Sequence, residues 1–342
     1  MRRVNEKFKL GKLKHDYLGQ LLSEIEIQDN RVVLGSKIGE DAAVIDIPGE
    51  NYLVVKTDPI TFTTNEIGYY AVIVNVNDVV CLGAKPKWFQ STILLPENNT
   101  TTEIVEKIFN SINITCKSIG ITVVGGHIEI TPRLNRPIVI GSLIGEVEKN
   151  KLILTSGAEP GDALILTKGI FIEGTSIIGR EKEKELKNKR FSNDFIEKCK
   201  NYLYSPGISV FKEALLANKN FKIKSCHDPT EGGVFTGIAE MTIASNTGVI
   251  IEEEKIFILP EPKILSEIFN LNPYNTISSG SLLIAVDQKD SSDLIDLLRK
   301  HDINAEKIGN FIPKNKGLIV KKKDGKKAPL KYSETDDITR IF

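Results

Sequence analysis

The chain is short of cysteine, of net charge and of long apolar runs, and each shortage closes a route. Cys81, Cys116, Cys199 and Cys226 are scattered and form no Cys-x-x-Cys pair, which argues against a disulfide framework and against a zinc or redox site. A reducing cytoplasm fits this usage. Lys+Arg and Asp+Glu each number 45, so a nucleic-acid binder relying on bulk positive charge is not expected. The most apolar stretch, Tyr69 to Ala84, is interrupted by Asn75, Asn77 and Asp78 and falls short of a bilayer span. Residues Met1 to Leu22 mix charges with single apolar residues and lack the apolar core of a signal peptide. A cytoplasmic protein without a membrane segment is therefore expected. Gly-x-Gly-x-x-Gly after a strand and Gly-x4-Gly-Lys-[Ser/Thr] are both missing, which closes the Rossmann and Walker routes to nucleotide binding.

What remains is an ordinary globular composition, 41% hydrophobic and 26% charged, over 342 residues. At roughly 150 residues per domain that length predicts two domains. Short Val/Ile-rich runs at Arg31–Leu34, Ala42–Ile47 and Tyr52–Lys56, separated by Gly and Pro, read as strands. Glu66–Leu82 carries β-branched residues but is long and stops at Gly83 and Pro86, so it reads as a helix. Thr102–Ser118, with Ile104, Ile108, Ile112 and Cys116 at four-residue steps, is an amphipathic helix. Ile121–Val124 and Ile138–Val147 read as strands flanking a loop, Gly125–Pro137. A boundary falls near residues 149–161, giving domains 1–150 and 151–342. In the second, Ala163–Thr167, Val249–Glu252 and Leu282–Val286 read as strands. Arg180–Lys200 reads as one solvated helix, its lysines alternating with glutamates. Ile208–Ala217, Val234–Ser245 and Ser291–His301 are further helices. Irregular mixing of strands and helices in both units favours α/β domains of the α+β type.

Glu40-Asp41, Asp58, Asp78 and Asp228 stand beside Gly, Pro or Asn, and hard oxygen ligands of this kind suit Mg²⁺ on substrate phosphates. Singly, each has an ordinary structural explanation: Asp41 and Asp58 as turn caps, Asp78 on a solvated helix face, Asp228-Pro229-Thr230 as a helix start. Gly125-Gly126, Gly232-Gly233 and Gly280 could let backbone N–H groups approach an anion, and Asp228 to Gly233 could open a helix facing a phosphate. Lys37 and Lys56, beside the acidic motifs, could contact phosphates or simply be solvated.

Taken in order, the motifs are more specific. Gly39-Glu40-Asp41-Ala42-Ala43-Val44-Ile45, Lys56-Thr57-Asp58, Asn75-Val76-Asn77-Asp78 running to Lys85-Pro86, Gly125-Gly126-His127 and Asp228-Pro229-Thr230-Glu231-Gly232-Gly233 resemble the aminoimidazole ribonucleotide synthetase (PurM-like) superfamily. That superfamily includes the hydrogenase maturation factor HypE, selenophosphate synthetase, thiamine-monophosphate kinase and formylglycinamidine ribonucleotide synthetase. The likeness runs from about residue 30 to 315, and Ile277-Ser278-Ser279-Gly280-Ser281-Leu282-Leu283 looks especially like HypE. It implies a two-domain PurM-like fold, with an N-terminal domain that forms a β-barrel across a homodimer and a C-terminal α/β sandwich. It also implies ATP and Mg²⁺ in a cleft near that interface, with Asp41, Asp58 and Asp78 as metal carboxylates. Lys37, Asn77, Gly125, Gly126, Gly232 and Gly233 would join them around the nucleotide, with Asp228 on the acceptor side. His127 stands where HypE has an acidic residue and selenophosphate synthetase has His; either a substrate or phosphate contact or plain packing at a strand end is expected of it, with Glu129 a weaker candidate of the same kind.

The implied activity is ATP-dependent phosphorylation or activation of an oxygen, in an amide or carbamoyl group, on an unidentified small-molecule or protein acceptor. The residues Thr335 to Phe342 contain no cysteine like the one on which HypE acts, so a hydrogenase maturation role would need a cysteine on another chain. A nucleotide-binding partner without turnover and a small-molecule kinase of the thiamine-monophosphate kinase type are the alternatives. Cys81, Cys116 and Cys226 read as buried thiols.

Overall fold

The computed structural model describes residues 8, 13, 15–61, 63–333 and 335–342. The N-terminal half contains α1 (His15–Ser23), β1 (Val32–Leu34), β2 (Ala43–Asp46), β3 (Asn51–Ile60), α2 (Ile67–Cys81), β4 (Lys85–Pro96), α3 (Thr102–Ser118), β5 (Thr122–Thr131) and β6 (Ile138–Glu148). Its six strands lie in the order β1-β2-β3-β6-β4-β5, antiparallel except for the parallel pair β4–β5.

The C-terminal half begins with β7 (Ala163–Thr167), α4 (Ile172–Glu181), α5 (Glu183–Asn188), α6 (Asn193–Asn201), α7 (Phe211–Asn220) and β8 (Ile223–His227). It continues with α8 (Gly233–Ser245), β9 (Gly248–Glu252), α9 (Pro260–Ile268), β10 (Leu283–Val286), α10 (Ser291–Lys300), β11 (Ala305–Ile312), β12 (Leu318–Lys321) and β13 (Lys327–Pro329). Its sheet runs β13-β12-β9-β11-β7-β10-β8.

Helix α2 is the hub. All of its fifteen residues but Tyr69 and Val74 are buried. A helix covered on every side shows no apolar stripe, which is why its periodicity in the sequence is ambiguous. One apolar cluster includes Val72, Val76 and Val79 of α2, Phe89 and Leu143 of the first sheet, Ala214 of α7 and Ile284 of the second sheet. The core therefore crosses from one half to the other. Asn77 makes the polar tie: its Nδ2 donates to the Ile208 carbonyl at 2.8 Å and its Oδ1 accepts from the Val210 N–H at 2.9 Å.

Several expectations need correction. The strand expected to end at Val124 continues to Thr131, because β5 pairs in parallel with β4 through Gly125, Gly126 and His127. A side chain at 126 would run into the Ser91 carbonyl, so the glycine there permits a close strand approach. Likewise β3 runs on through Asp58 to Ile60, placing that carboxylate on a strand and not at a turn. The single helix expected over Arg180–Lys200 is divided among α4, α5 and α6, with Arg190 at φ 65° and Ser192 capping α6 through its hydroxyl. Within one chain the first sheet is open, with β1 and β5 as its edges. No helix among the described residues is long and apolar enough to cross a membrane.

Asn77→Ala should leave two buried backbone groups unpaired. It is expected to lower unfolding stability by about 3 kcal/mol, read from the shift in urea midpoint at unchanged slope.

Candidate functional site

A cavity of about 420 Å³ is lined by residues of both halves, including Lys37, Asp41, Lys56, Asp58 and Asp78 from one and Glu173, His227, Asp228 and Ser279 from the other. Its polar wall is assembled from four places in the chain. Asp41 comes from the loop before β2, Lys56 and Asp58 from β3, and Asp78 from the last turn of α2. Asp228 directly follows β8. Oxygens of Asp41, Asp78 and Asp228 lie within 4.8 Å of one another, a spacing that one cation could bridge.

Two cations hold this group together. Lys56 Nζ lies 3.0 Å from Asp78 Oδ2 and 3.3 Å from Asp58 Oδ2. Burial works against its charge, but Asp78, Asp58 and Asp41 outweigh burial and hold its pKa well above the ordinary lysine value. His227 is clasped from both sides, Nδ1 at 2.8 Å from Asp41 and Nε2 at 3.0 Å from Glu240 of α8. Burial again opposes the charged form, and the two carboxylates outweigh it, holding the His227 pKa well above its usual range.

The carboxylates feel the opposite balance. Burial pushes Asp78 up to about 7, with Lys56 pulling it down and Asp41 and Asp58 adding repulsion. Asp228 is raised well above the ordinary value by burial, then by Asp78 and Asp41, which His227 and Lys56 offset only in part. Cys81 Sγ is 3.9 Å from Asp228 Oδ1, whereas Oδ2 is buried without a hydrogen-bond partner. A buried carboxylate oxygen left without a donor, next to two further carboxylates, is the donor set that a hard divalent cation satisfies. These residues fit Mg²⁺.

The other expected site residues divide. Lys37 lies on the exposed rim of the cavity. Asp228 groups with Asp41 and Asp78, while Asp58 stands outside that trio and meets it through Lys56. Asn77 does not face the cavity, because both ends of its amide are occupied by backbone. Gly125, Gly126 and His127 lie on the exposed edge strand β5 and do not meet the trio within one chain; His127 Nε2 is 3.6 Å from Glu129. Gly232 and Gly233 start α8, but the Gly232 N–H already donates to Asp336 Oδ2 at 2.7 Å. Gly233, at φ 68°, is needed because a side chain there would strike Tyr274 and Thr276 backbone. Glu40, whose carboxylate accepts from the N–H groups of Thr155 and Ser156, ties the first sheet to the linker.

His227, Glu240 and Glu173 are not singled out by the sequence pattern. His227 had a signal, since it directly precedes the Asp228-Pro229-Thr230 motif. Glu240 and Glu173 had none, being ordinary helix positions until the two halves close on each other.

Fold and cavity define a class: a two-sheet α/β protein with a carboxylate-rich cleft that both halves build. The chain belongs to the AIR synthase related protein family, whose N-terminal domain matches residues 39–147 and whose C-terminal domain matches residues 159–321. Its architecture is the two-domain PurM-like fold. A candidate hydrogenase expression/formation protein of Methanocaldococcus jannaschii is 30% identical over 307 residues, 88% of each chain. The carbamoyl dehydratase HypE of Rhizobium leguminosarum bv. viciae is 24% identical over 277 residues, 79% of this chain and 75% of that one. The solved structure of the hydrogenase maturation protein HypE in complex with ATP matches with a TM-score of 0.67 at 20% identity, covering 96% of this chain and 99% of the other.

The raised Asp228 carboxyl sets a pH-dependent stability. Its folded pKa lies above its unfolded one, so its burden is absent below the unfolded value and grows as pH rises through the folded value. Asp228→Asn removes that burden. The metal-free variant should melt above the parent by a margin that widens from pH 5 to pH 8, and millimolar Mg²⁺ should narrow the margin by stabilising the parent alone.

Proposed function

We propose that the chain uses ATP and Mg²⁺ to phosphorylate the oxygen of an amide or carbamoyl group on an acceptor. The observation that carries this reading is the trio Asp41, Asp78 and Asp228, two of them buried, set around an Asp228 oxygen without a partner and held by Lys56 and His227. Phosphoryl transfer asks a protein for alignment and charge neutralisation more than for covalent participation, and this wall supplies both. Mg²⁺, when bound, would neutralise charge on the nucleotide phosphates. Asp41, Asp78 and Asp228 would hold it, Lys56 would keep Asp58 and Asp78 in register, and Lys37 would meet phosphate at the rim. The relative named carbamoyl dehydratase and the HypE–ATP structure support amide chemistry and the nucleotide.

The same reading includes a homodimer. Edge strand β5 exposes Val124, Ile128 and Ile130, and an apolar strand edge of this kind invites pairing with a second copy. Gly125, Gly126 and His127 would then act at the interface. Residues 1–150 and 151–342 serve as the two domains, with the cavity between them.

Isothermal titration is expected to find about one ATP per chain with Mg²⁺ and no binding without it, the stoichiometry following from the single carboxylate trio found among the described residues. Absence of binding by the folded chain in both conditions would overturn the proposal. Asp78→Asn should lower ADP formation by about two to three orders of magnitude, measured at saturating ATP, because charge stabilisation at the transferring phosphoryl is lost.

A further inference from the structure

Glu173 is a buried carboxyl that the reading above does not use. It lies in the first turn of α4, which opens directly after Phe171 in the left-handed conformation at φ 63°. The residue is 5% exposed and lines the same cavity as the carboxylate trio. Its Oε2 is buried and has no hydrogen-bond partner.

Its surroundings come from several elements. Tyr70 of α2, Ile177 of α4, Ile277 and Ser279 share the cavity wall. Burial raises the Glu173 carboxyl to about 7; Ser279 favours its ionised form, while Asp336 and Glu231 disfavour it. The loop from Asp228 to Glu231 runs from the trio to this second carboxyl. A buried carboxyl with one oxygen left without a partner destabilises a fold, and an amide or an apolar side chain would pack there at lower cost. A buried carboxyl oxygen left unpaired on a cavity wall, as Glu173 Oε2 is, marks a group kept for a ligand that donates to it.

We propose that Glu173 binds the acceptor, taking a hydrogen bond from the N–H of a carboxamide and then its proton as the amide oxygen is phosphorylated. The proposal rests on the phosphoryl-transfer reading of this cavity. The step balances. The amide oxygen forms a bond to the γ-phosphorus as the bond from that phosphorus to the β,γ-bridging oxygen breaks and ADP leaves. The N–H electron pair becomes the C=N bond of the imidate phosphate, and the proton goes to the Glu173 carboxylate. Glu173 is thus a catalytic residue for the acceptor, distinct from the groups that hold the nucleotide.

The test compares acetamide, which has N–H groups, with N,N-dimethylacetamide, which keeps the amide oxygen and lacks them. ADP release by the full chain, with ATP and Mg²⁺, is followed for the parent, Glu173→Gln and Glu173→Asp. Acetamide alone should stimulate the parent, with a rate that rises through about pH 7. Glu173→Gln should lose about 100-fold of that stimulation and its pH dependence. Its affinity for ATP should stay within about two-fold of the parent's, since the nucleotide groups are untouched. Glu173→Asp should retain part of the pH-dependent rate, and thermal melts should show both variants folded. Stimulation that survives in Glu173→Gln would overturn the proposal, as would equal stimulation by N,N-dimethylacetamide. No response to acetamide in a parent chain that binds ATP would do the same. A parent chain that fails to bind ATP overturns the phosphoryl-transfer reading instead, so the two failures are distinguishable.

Discussion

Three carboxylates within 4.8 Å of one another, two of them buried, repel each other and lose hydration, and the packing around the cavity is organised to hold them there. Lys56 and His227 supply the compensating charge, and neither could do so alone. Lys56 reaches Asp78 and Asp58 from β3, while His227 reaches Asp41 from β8 and is itself braced by Glu240 of α8. A buried ion network of this kind contributes little net stability compared with apolar packing, but removing one partner leaves an uncompensated charge. The network is therefore better understood as the cost of a binding wall than as a source of stability.

Helix α2 makes that wall possible. It is wrapped by strands, by α3 and by α7, and it carries Asp78 into the interior on an otherwise apolar surface. Polar residues on a buried helix must each find a partner. Asn77 finds backbone at Ile208 and Val210, and Asn75 donates to the Ala71 carbonyl at 2.8 Å. Asp78 finds Lys56, and adjacent positions of one helix thus divide between fixing the two halves together and facing the cavity.

Much of the fold was legible locally. The α3 boundaries and the strands around the first acidic motifs follow from turn residues and periodicity, which act over a few residues. Harder to read were β4, whose Lys85-Pro86-Lys87 start looks like a loop, and β5, whose glycine pair reads as a turn until Ser91 is seen against it. Gly232 and Gly233 illustrate the same limit: a glycine pair before a helix looks like an anion cradle, but Asp336, more than a hundred residues on, occupies the N–H.

By itself the sequence determined composition class, two mixed α/β units, and the set of acidic motifs that marks the family, because these depend on neighbouring residues and their order. Which acid joins which was decided by tertiary structure. The pairing of Asp228 with Asp41 and Asp78, the bracing of His227 by Glu240 and the burial of Glu173 all join residues far apart in the chain. Their charge states follow from desolvation and from fields of groups that come near only when the two halves close, and no local pattern encodes that distance.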